Sequence, residues 1–210
     1  MRQRLLHSAS IGAVAPAATA PMLEAASDEE LMHAWQSGDA GAFETLYRRY
    51  RGSLYRFLVR QAGGQESGEE LYQDVWMTLV HGRDRWVPTA TLKTYLYRIA
   101  HSRLVDHYRS RGQKERALEV SIDVDDAPEV AASCTFVQAD AAWRTNSTGD
   151  AVRRCLDGLP PAQREAFLLK EESGLGLGEI AAVTGAEPET IKSRVRYAIA
   201  RLRRCLEEWL

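Results

Sequence analysis

Residues 174–210 read GLGLGEIAAVTGAEPETIKSRVRYAIARLRRCLEEWL, and their spacing predicts a short helix, a turn and a long helix. Ile180, Ala181 and Val183 supply a small apolar face. Gly185 allows a left-handed turn, and Pro188 suits the first turn of the helix that follows. At about 100° per residue, Ile191, Val195, Ala198 and Leu202 gather on one side, while Glu189, Ser193, Arg196 and Tyr197 face the other. This is a helix-turn-helix layout, in which the N-terminal half of the second helix meets base edges in the major groove. Thr190, Lys192, Ser193 and Arg196 carry hydroxyls and cations that reach phosphates and purine edges. An αα-hairpin with a solvated basic face has the same spacing, so both readings stand at this point.

Working towards the N-terminus, Asp150 is an expected N-cap, a short helix ends at Gly158, and Pro160-Pro161 restarts a helix through about Glu171. Residues 113–149 lose all periodicity over a length better suited to a linker than to a packed loop. The segment TLKTYLYRIAHSRLVDHYRSR predicts a helix from Thr91 to near Gly112. Ser67-Gly68-Glu69-Glu70 has capping-box form and is expected to open a helix running to about Val80. A longer helix precedes it, from about Ala40 to Gly63-Gly64, with Phe43, Leu46, Tyr47, Tyr50, Leu54, Phe57 and Leu58 at steps of three and four. Ser27-Asp28-Glu29-Glu30 is another capping box, and Leu31, Ala34 and Trp35 follow on one face. The first 26 residues have a basic start and an Ala-x-Ala end, but His7, Ser8, Ser10, Gly12 and Pro16 break the apolar stretch that a secretory leader needs, so a disordered extension is expected. No period-two alternation occurs, and the class is all-α. The organisation is an extension over 1–26, a four-helix domain over 27–112, a linker over 113–149 and a helix-turn-helix domain over 150–210.

Composition narrows the chemistry. The 210 residues are 45% hydrophobic and 27% charged, enough to bury a core, and no apolar run approaches the ~20 residues that cross a bilayer. Three cysteines, Cys134, Cys155 and Cys205, make an odd number without a CxxC pair, which argues against a disulfide framework or a cysteine-rich zinc site and fits a reducing cytoplasm. The formal charge of −2 hides strong patterning. Residues 117–150 hold seven acidic and one basic residue; Lys93 to Arg116 holds seven basic and two acidic, and Glu187 to Arg204 six and two. Two cationic stripes around an acidic spacer are the footprint of a polyanion partner.

The helix over 91–112 has two apolar faces, Leu92, Tyr95, Leu96 and Ile99 on one and Tyr97, Ala100, Leu104 and Tyr108 on the other. Its remaining stripe holds Arg98, His101, Ser102 and Arg109; aromatics beside cations suit unpaired bases, and equally an aromatic core with a charged rim. On the preceding helix Leu71, Val75 and Leu79 form a core stripe, while Met77 and Val80 lie opposite with Gln73, as on a partner-facing surface. His101, Asp106 and His107 raise a metal-dependent phosphohydrolase as a rival, but His101 and His107 differ by about 120° around the helix and do not converge on one ion. A one-component repressor is a second rival; it explains the C-terminal half alone.

In this order, AFETLYRRYRGSLYRFL, GEELYQDVWMTLV, TYLYRIAHSRLVDHYR, LPPAQREAFLLKEESGLGLGEIA and TIKSRVRYAIARLR resemble the extracytoplasmic-function (ECF) sigma factors of bacterial RNA polymerase, over roughly Asp28 to Arg111 and Asp150 to Leu206. The resemblance implies a non-enzymatic factor with no cofactor or metal, working on core RNA polymerase and promoter DNA, with an anti-sigma factor as a further partner and stress response as its setting. It implies that Glu70, Gln73 and Asp74, beside Met77, grip the clamp of the largest polymerase subunit. It implies that Arg98, His101, Ser102 and Asp106, with Arg109 nearby, open and read the minus-10 element, and that Thr190, Lys192, Ser193, Arg196 and the adjacent Tyr197 read the minus-35 element. Ser102 stands where the family often has Asn, Tyr95 where Trp is frequent and Tyr197 where Arg is. The spacer is long enough: about 37 residues at ~3.3 Å reach ~120 Å, against ~70 Å for two duplex turns.

Overall fold

The computed structural model describes residues 20–119 and 147–208, and every regular element among them is helical. The order is α1 (Ala20–Ala25), α2 (Asp28–Gln36), α3 (Ala40–Ala62), α4 (Gln65–Gly82), a 3-10 turn (Arg83–Arg85), α5 (Leu92–Glu119), α6 (Ser147–Asp157), α7 (Pro161–Glu171), α8 (Leu177–Thr184) and α9 (Pro188–Glu207). Most of the expected linker, residues 120–146, and most of the expected extension, residues 1–19, lie outside the described residues.

Local chemistry sets the helix ends. At α2 the Ser27 hydroxyl accepts from the Glu30 N–H at 3.2 Å and the Glu30 carboxylate accepts from the Ser27 N–H at 2.7 Å, the capping box expected there. These bonds hold the Glu30 carboxyl below its ordinary pKa, the backbone bond from Ser27 foremost. The second expected box does not form. Gly63 ends α3 in the left-handed conformation at φ +73°, Gly64 is extended, and α4 begins at once at Gln65, leaving Ser67 and Gly68 inside it. Gly68 is needed there for another reason: a Cβ would lie 2.6 Å from Val59 Cα, so its absence lets α4 close on α3. Thr91 and Glu29 cap α5, through Thr94 N–H to Thr91 Oγ1 at 3.2 Å and Leu92 N–H to Glu29 Oε1 at 3.1 Å.

Three further boundaries differ from the sequence expectation. Part of the stretch expected as an extension is helical: α1 packs on α3 with Leu23 buried and Glu24 paired to Arg48 at 2.5 Å. In addition, α5 runs to Glu119 and α6 starts at Ser147, with Asp150 in its first turn rather than at its cap.

Helices α2–α5 bury Leu31, Leu46, Leu54, Phe57, Leu58, Val75, Leu79, Leu96 and Tyr97, with Phe57 and Tyr97 edge to face at 5.4 Å. In the C-terminal domain Leu168, Leu169, Ile180, Ile191 and Ala198 close the core of α6–α9. The two domains are packed together, α8 against α5 and α7 against α3, and their buried side chains form one connected cluster. Packing of α6 beside α9 also brings Cys155 and Cys205, 50 residues apart in sequence, to a Cα–Cα distance of 5.8 Å in a disulfide. This corrects the expectation of no disulfide: count and local spacing carry no information about a pairing made by tertiary contact. Cys134 lies outside the described residues.

Candidate nucleic-acid interface

In the C-terminal domain the turn between α8 and α9 is made by Gly185 at φ +70°, whose N–H bonds the Ala181 carbonyl at 2.9 Å. Pro188 sits in the first turn of α9, and Ile191, Val195, Ala198 and Leu202 are buried below it. This orientation leaves Thr190, Lys192, Arg196 and Tyr197 exposed, with Ser193 half-buried. The Arg196 guanidinium lies 5.1 Å from the Tyr197 ring centroid, a cation–π contact that orients the side chain without neutralising it. Lys192 Nζ lies 3.3 Å from Glu189, an exposed i,i+3 pair worth little in water and readily exchanged for a phosphate.

On α5, Arg98, Ser102, Asp106 and Arg109 are exposed, with Arg109 and Asp106 only 3.9 Å apart. His101, expected on the same stripe, is half-buried and engaged: its Nδ1 lies 2.7 Å from Glu165 Oε1 of α7. The hydrogen bond to Glu165 raises the imidazole pKa above its ordinary value, against the opposing effects of burial and of Arg194. Arg103 points to α4, donating to Thr78 Oγ1 at 2.8 Å. His101, Asp106 and His107 do not converge, and no group of three His, Cys, Asp or Glu suited to a metal exists among the described residues.

On α4 the residues Glu70, Gln73, Asp74 and Met77 are all exposed along one stripe, opposite buried Leu71, Val75 and Leu79. Met77 is 51% exposed and Val80 39%, which puts apolar surface beside three polar groups.

Sequence reasoning missed the residues that join the domains. Arg164 is buried and donates from Nε to Gln61 Oε1 at 2.9 Å and from Nη2 to the Gln61 carbonyl at 3.3 Å. Glu172 bridges Arg56 at 3.1 Å and Arg60, and Glu179 accepts from Thr91 and Thr94 at 3.3 and 3.2 Å. Glu165, Glu172 and Glu179 recur every seven residues, a visible pattern, but nothing in the local sequence names a partner for them.

The helix-turn-helix, the cationic face of α9 and the exposed stripe of α4 define a two-domain, all-helical transcription factor. Residues 46–114 match the family described as Sigma-70 region 2, and residues 149–202 match Sigma-70, region 4. The chain is 30% identical over 196 residues to the ECF RNA polymerase sigma factor SigK of Mycolicibacterium vanbaalenii, covering 92% of this chain and 95% of that one. It is 29% identical over 180 residues to SigM of Mycobacterium tuberculosis, covering 86% and 85%. Among solved structures, the sigma factor RpoE in complex with the anti-sigma factor NepR from Bartonella quintana is similar at TM-score 0.61 and 25% identity, over 79% of this chain and 96% of that one. CnrH, in complex with the cytosolic domain of CnrY, shares the fold at TM-score 0.59 and 22% identity, over 86% and 97%. The chain belongs to the ECF RNA polymerase sigma factors. It is therefore a transcription-initiation factor that recognises promoters with RNA polymerase, and not an enzyme.

Proposed function

We propose that the three surfaces divide the work of initiation. The α4 stripe of Glu70, Gln73, Asp74 and Met77 docks on the clamp of the largest polymerase subunit: the acidic and amide groups make charge-assisted bonds at its rim and the Met77 side chain buries apolar area. Thr190, Lys192, Ser193, Arg196 and Tyr197 of α9 read the minus-35 element in the major groove. Arg98, His101, Ser102, Asp106 and Arg109 of α5 hold the minus-10 strand once it opens. Unpairing costs a few kcal/mol per flipped base, which contacts in the complex must offset. The acidic segment between α5 and α6, narrower than the 113–149 expected because α5 continues to Glu119 and α6 starts at Ser147, links the two domains; its charge is repelled by duplex DNA and suits a basic channel of the polymerase. The protein acts in the cytoplasm, where polymerase and promoters are, and among the described residues no helix is long and apolar enough to cross a membrane. An anti-sigma factor holds it in reserve, as the complex of RpoE with NepR illustrates for a relative.

The observation that carries this reading is the pairing, on one chain, of an exposed cationic recognition face on α9 with the exposed polar and apolar stripe on α4. The test is transcription from a cognate promoter with purified core polymerase. Lys192→Ala with Arg196→Ala abolishes transcription and leaves polymerase binding intact; undiminished transcription removes the recognition-helix assignment.

A further inference from the structure

Helix α2 presents Glu29, His33 and Gln36 at i, i+4 and i+7, one stripe of its surface, and all three meet the segment that runs from the 3-10 turn into α5. Gln36 Nε2 donates to the carbonyls of Arg83 at 2.8 Å and Trp86 at 3.1 Å. Both of these neighbours only accept, so the amide can stand in one orientation alone, and its Oε1 then faces His33 Nδ1 at 3.1 Å. The His33 ring lies edge-on to Trp86, 5.5 Å between centroids, and Trp86 is buried. At the far end Glu29 Oε1 accepts from the Leu92 N–H at 3.1 Å. The segment is thereby fastened to α2 at residues 83, 86 and 92.

Between the last two fastenings stands a tight apolar tip. The Thr89 N–H bonds the Val87 carbonyl at 2.7 Å around Pro88, whose ring fixes φ. Val87 is 63% exposed, more than any other large apolar side chain among the described residues. A single exposed valine needs no explanation; a valine on a three-residue turn, pinned on both sides by side chains of another helix, is an uncovered surface held in one shape. The tip leads directly into α5, and the exposed Arg98 stands about 9 Å along the helix axis from Leu92. Apolar side chains meet the faces and methyl groups of unstacked bases, while neighbouring cations take the phosphates. A tip held in place beforehand makes such contact without an ordering cost at the moment of binding.

We propose that Glu29 and Gln36 of α2 are positioning residues for minus-10 recognition: by fixing the Val87–Pro88–Thr89 tip ahead of α5, they set which base the opened strand can place there. Neither residue touches DNA; both act through the tip. The inference rests on the proposed reading of α5 as the minus-10 helix and adds α2 as the element that sets its selectivity.

The test is transcription by holoenzyme, assembled from core polymerase and the full-length chain, on a template pool randomised at the minus-35 and minus-10 elements, each template carrying a barcode in its transcript. Gln36→Met keeps the side-chain length and removes both carbonyl bonds. It retains the native base preference at minus-35, while the best-to-worst ratio at one or two minus-10 positions falls from the roughly tenfold expected of a position that is read to about twofold. Glu29→Ala does the same, and Glu29→Gln, which still accepts from the Leu92 N–H, restores the native ratio. A role in folding alone lowers output from every template in proportion and leaves the ratios unchanged. Native minus-10 ratios in Gln36→Met therefore overturn the inference, and if that chain does not fold, native ratios in Glu29→Ala do so. Arg98→Ala with Ser102→Ala is the control for the reading of α5: native ratios there remove α5 as the reader, whereas a loss there beside native ratios in the α2 variants overturns the positioning role alone.

Discussion

Replacing Gly68 by alanine puts a single methyl group where two helices touch. In an open helix the change is favourable, because alanine gains about 1 kcal/mol over glycine in helix propensity. At Gly68 the new Cβ would stand 2.6 Å from Val59 Cα, 2.8 Å from Val59 Cγ2 and 3.0 Å from Val59 N, where carbon contacts are comfortable at about 3.5–4.0 Å. Two of those three atoms are backbone of α3 and have no rotamer to escape into, so α4 must move outward by roughly 1 Å. Overpacking of this kind costs about 1–3 kcal/mol. Since relief is confined to shifting a whole helix, the upper half of that range applies, and the net loss after the propensity gain is about 1–2 kcal/mol. For a chain of this size that is a fall in melting temperature of about 2–8 °C. Thermal unfolding followed by circular dichroism at 222 nm measures it, and core-polymerase binding reports whether the α4 stripe has moved with its helix. A Gly68→Ala protein that melts at or above the temperature of the native chain would refute the argument that α3 and α4 meet there through a missing side chain.

Other outcomes follow from the same geometry. Gly178 in α8 has no atom within 4 Å of a built Cβ, so Gly178→Ala raises stability by up to about 1 kcal/mol; a lower melting temperature contradicts it. Cys155→Ser opens a loop of 50 residues, whose closure is worth up to about 4 kcal/mol in the chain-entropy treatment. Its C-terminal domain unfolds at lower urea concentration than the oxidised native chain and matches the reduced one, whereas equal midpoints would show that no bond forms. His101 has a raised pKa through Glu165, opposed by Arg194, so its contribution is fully present below the ordinary imidazole value of about 6.5 and is lost as pH rises through the raised one. The contact between domains therefore loosens on the alkaline side. In His101→Gln this pH dependence of the radius of gyration disappears; a variant with the native profile assigns it elsewhere. Gln73→Ala with Asp74→Ala weakens retention of core polymerase in a pull-down, and full retention excludes the α4 contact.

The parts legible in the sequence are those made by neighbours in the chain. The Ser27 box, the glycine turn at Gly185 and the buried seam Ile191–Val195–Ala198–Leu202 follow from hydrogen-bond reach and a repeat of 3.6 residues, and the structure bears them out. The exposed positions Gln73, Met77 and Val80 on α4 and Glu189, Arg196 and Tyr197 on α9 were legible for the same reason: an amphipathic helix announces its outer face along with its inner one. Ser67 was misleading because a capping box is a pattern of side chains, and Gly64 had already supplied the extended residue from which α4 starts.

What the sequence alone determined is therefore the helices from α2 onward, most of their outward faces and the charge each carries, since these depend on contacts within about four residues; α1, expected as part of an extension, is held by packing Leu23 on α3. Only the tertiary structure decided that Glu165 meets His101, that Arg164 is buried against Gln61, that Cys155 meets Cys205, and that Gly68 is a point of closest approach. Each joins residues from different helices, three of the four across 50 or more positions of the chain. Periodicity fixes which side of a helix is apolar; the neighbour it meets depends on how whole helices pack, a choice spread over many weak contacts at once.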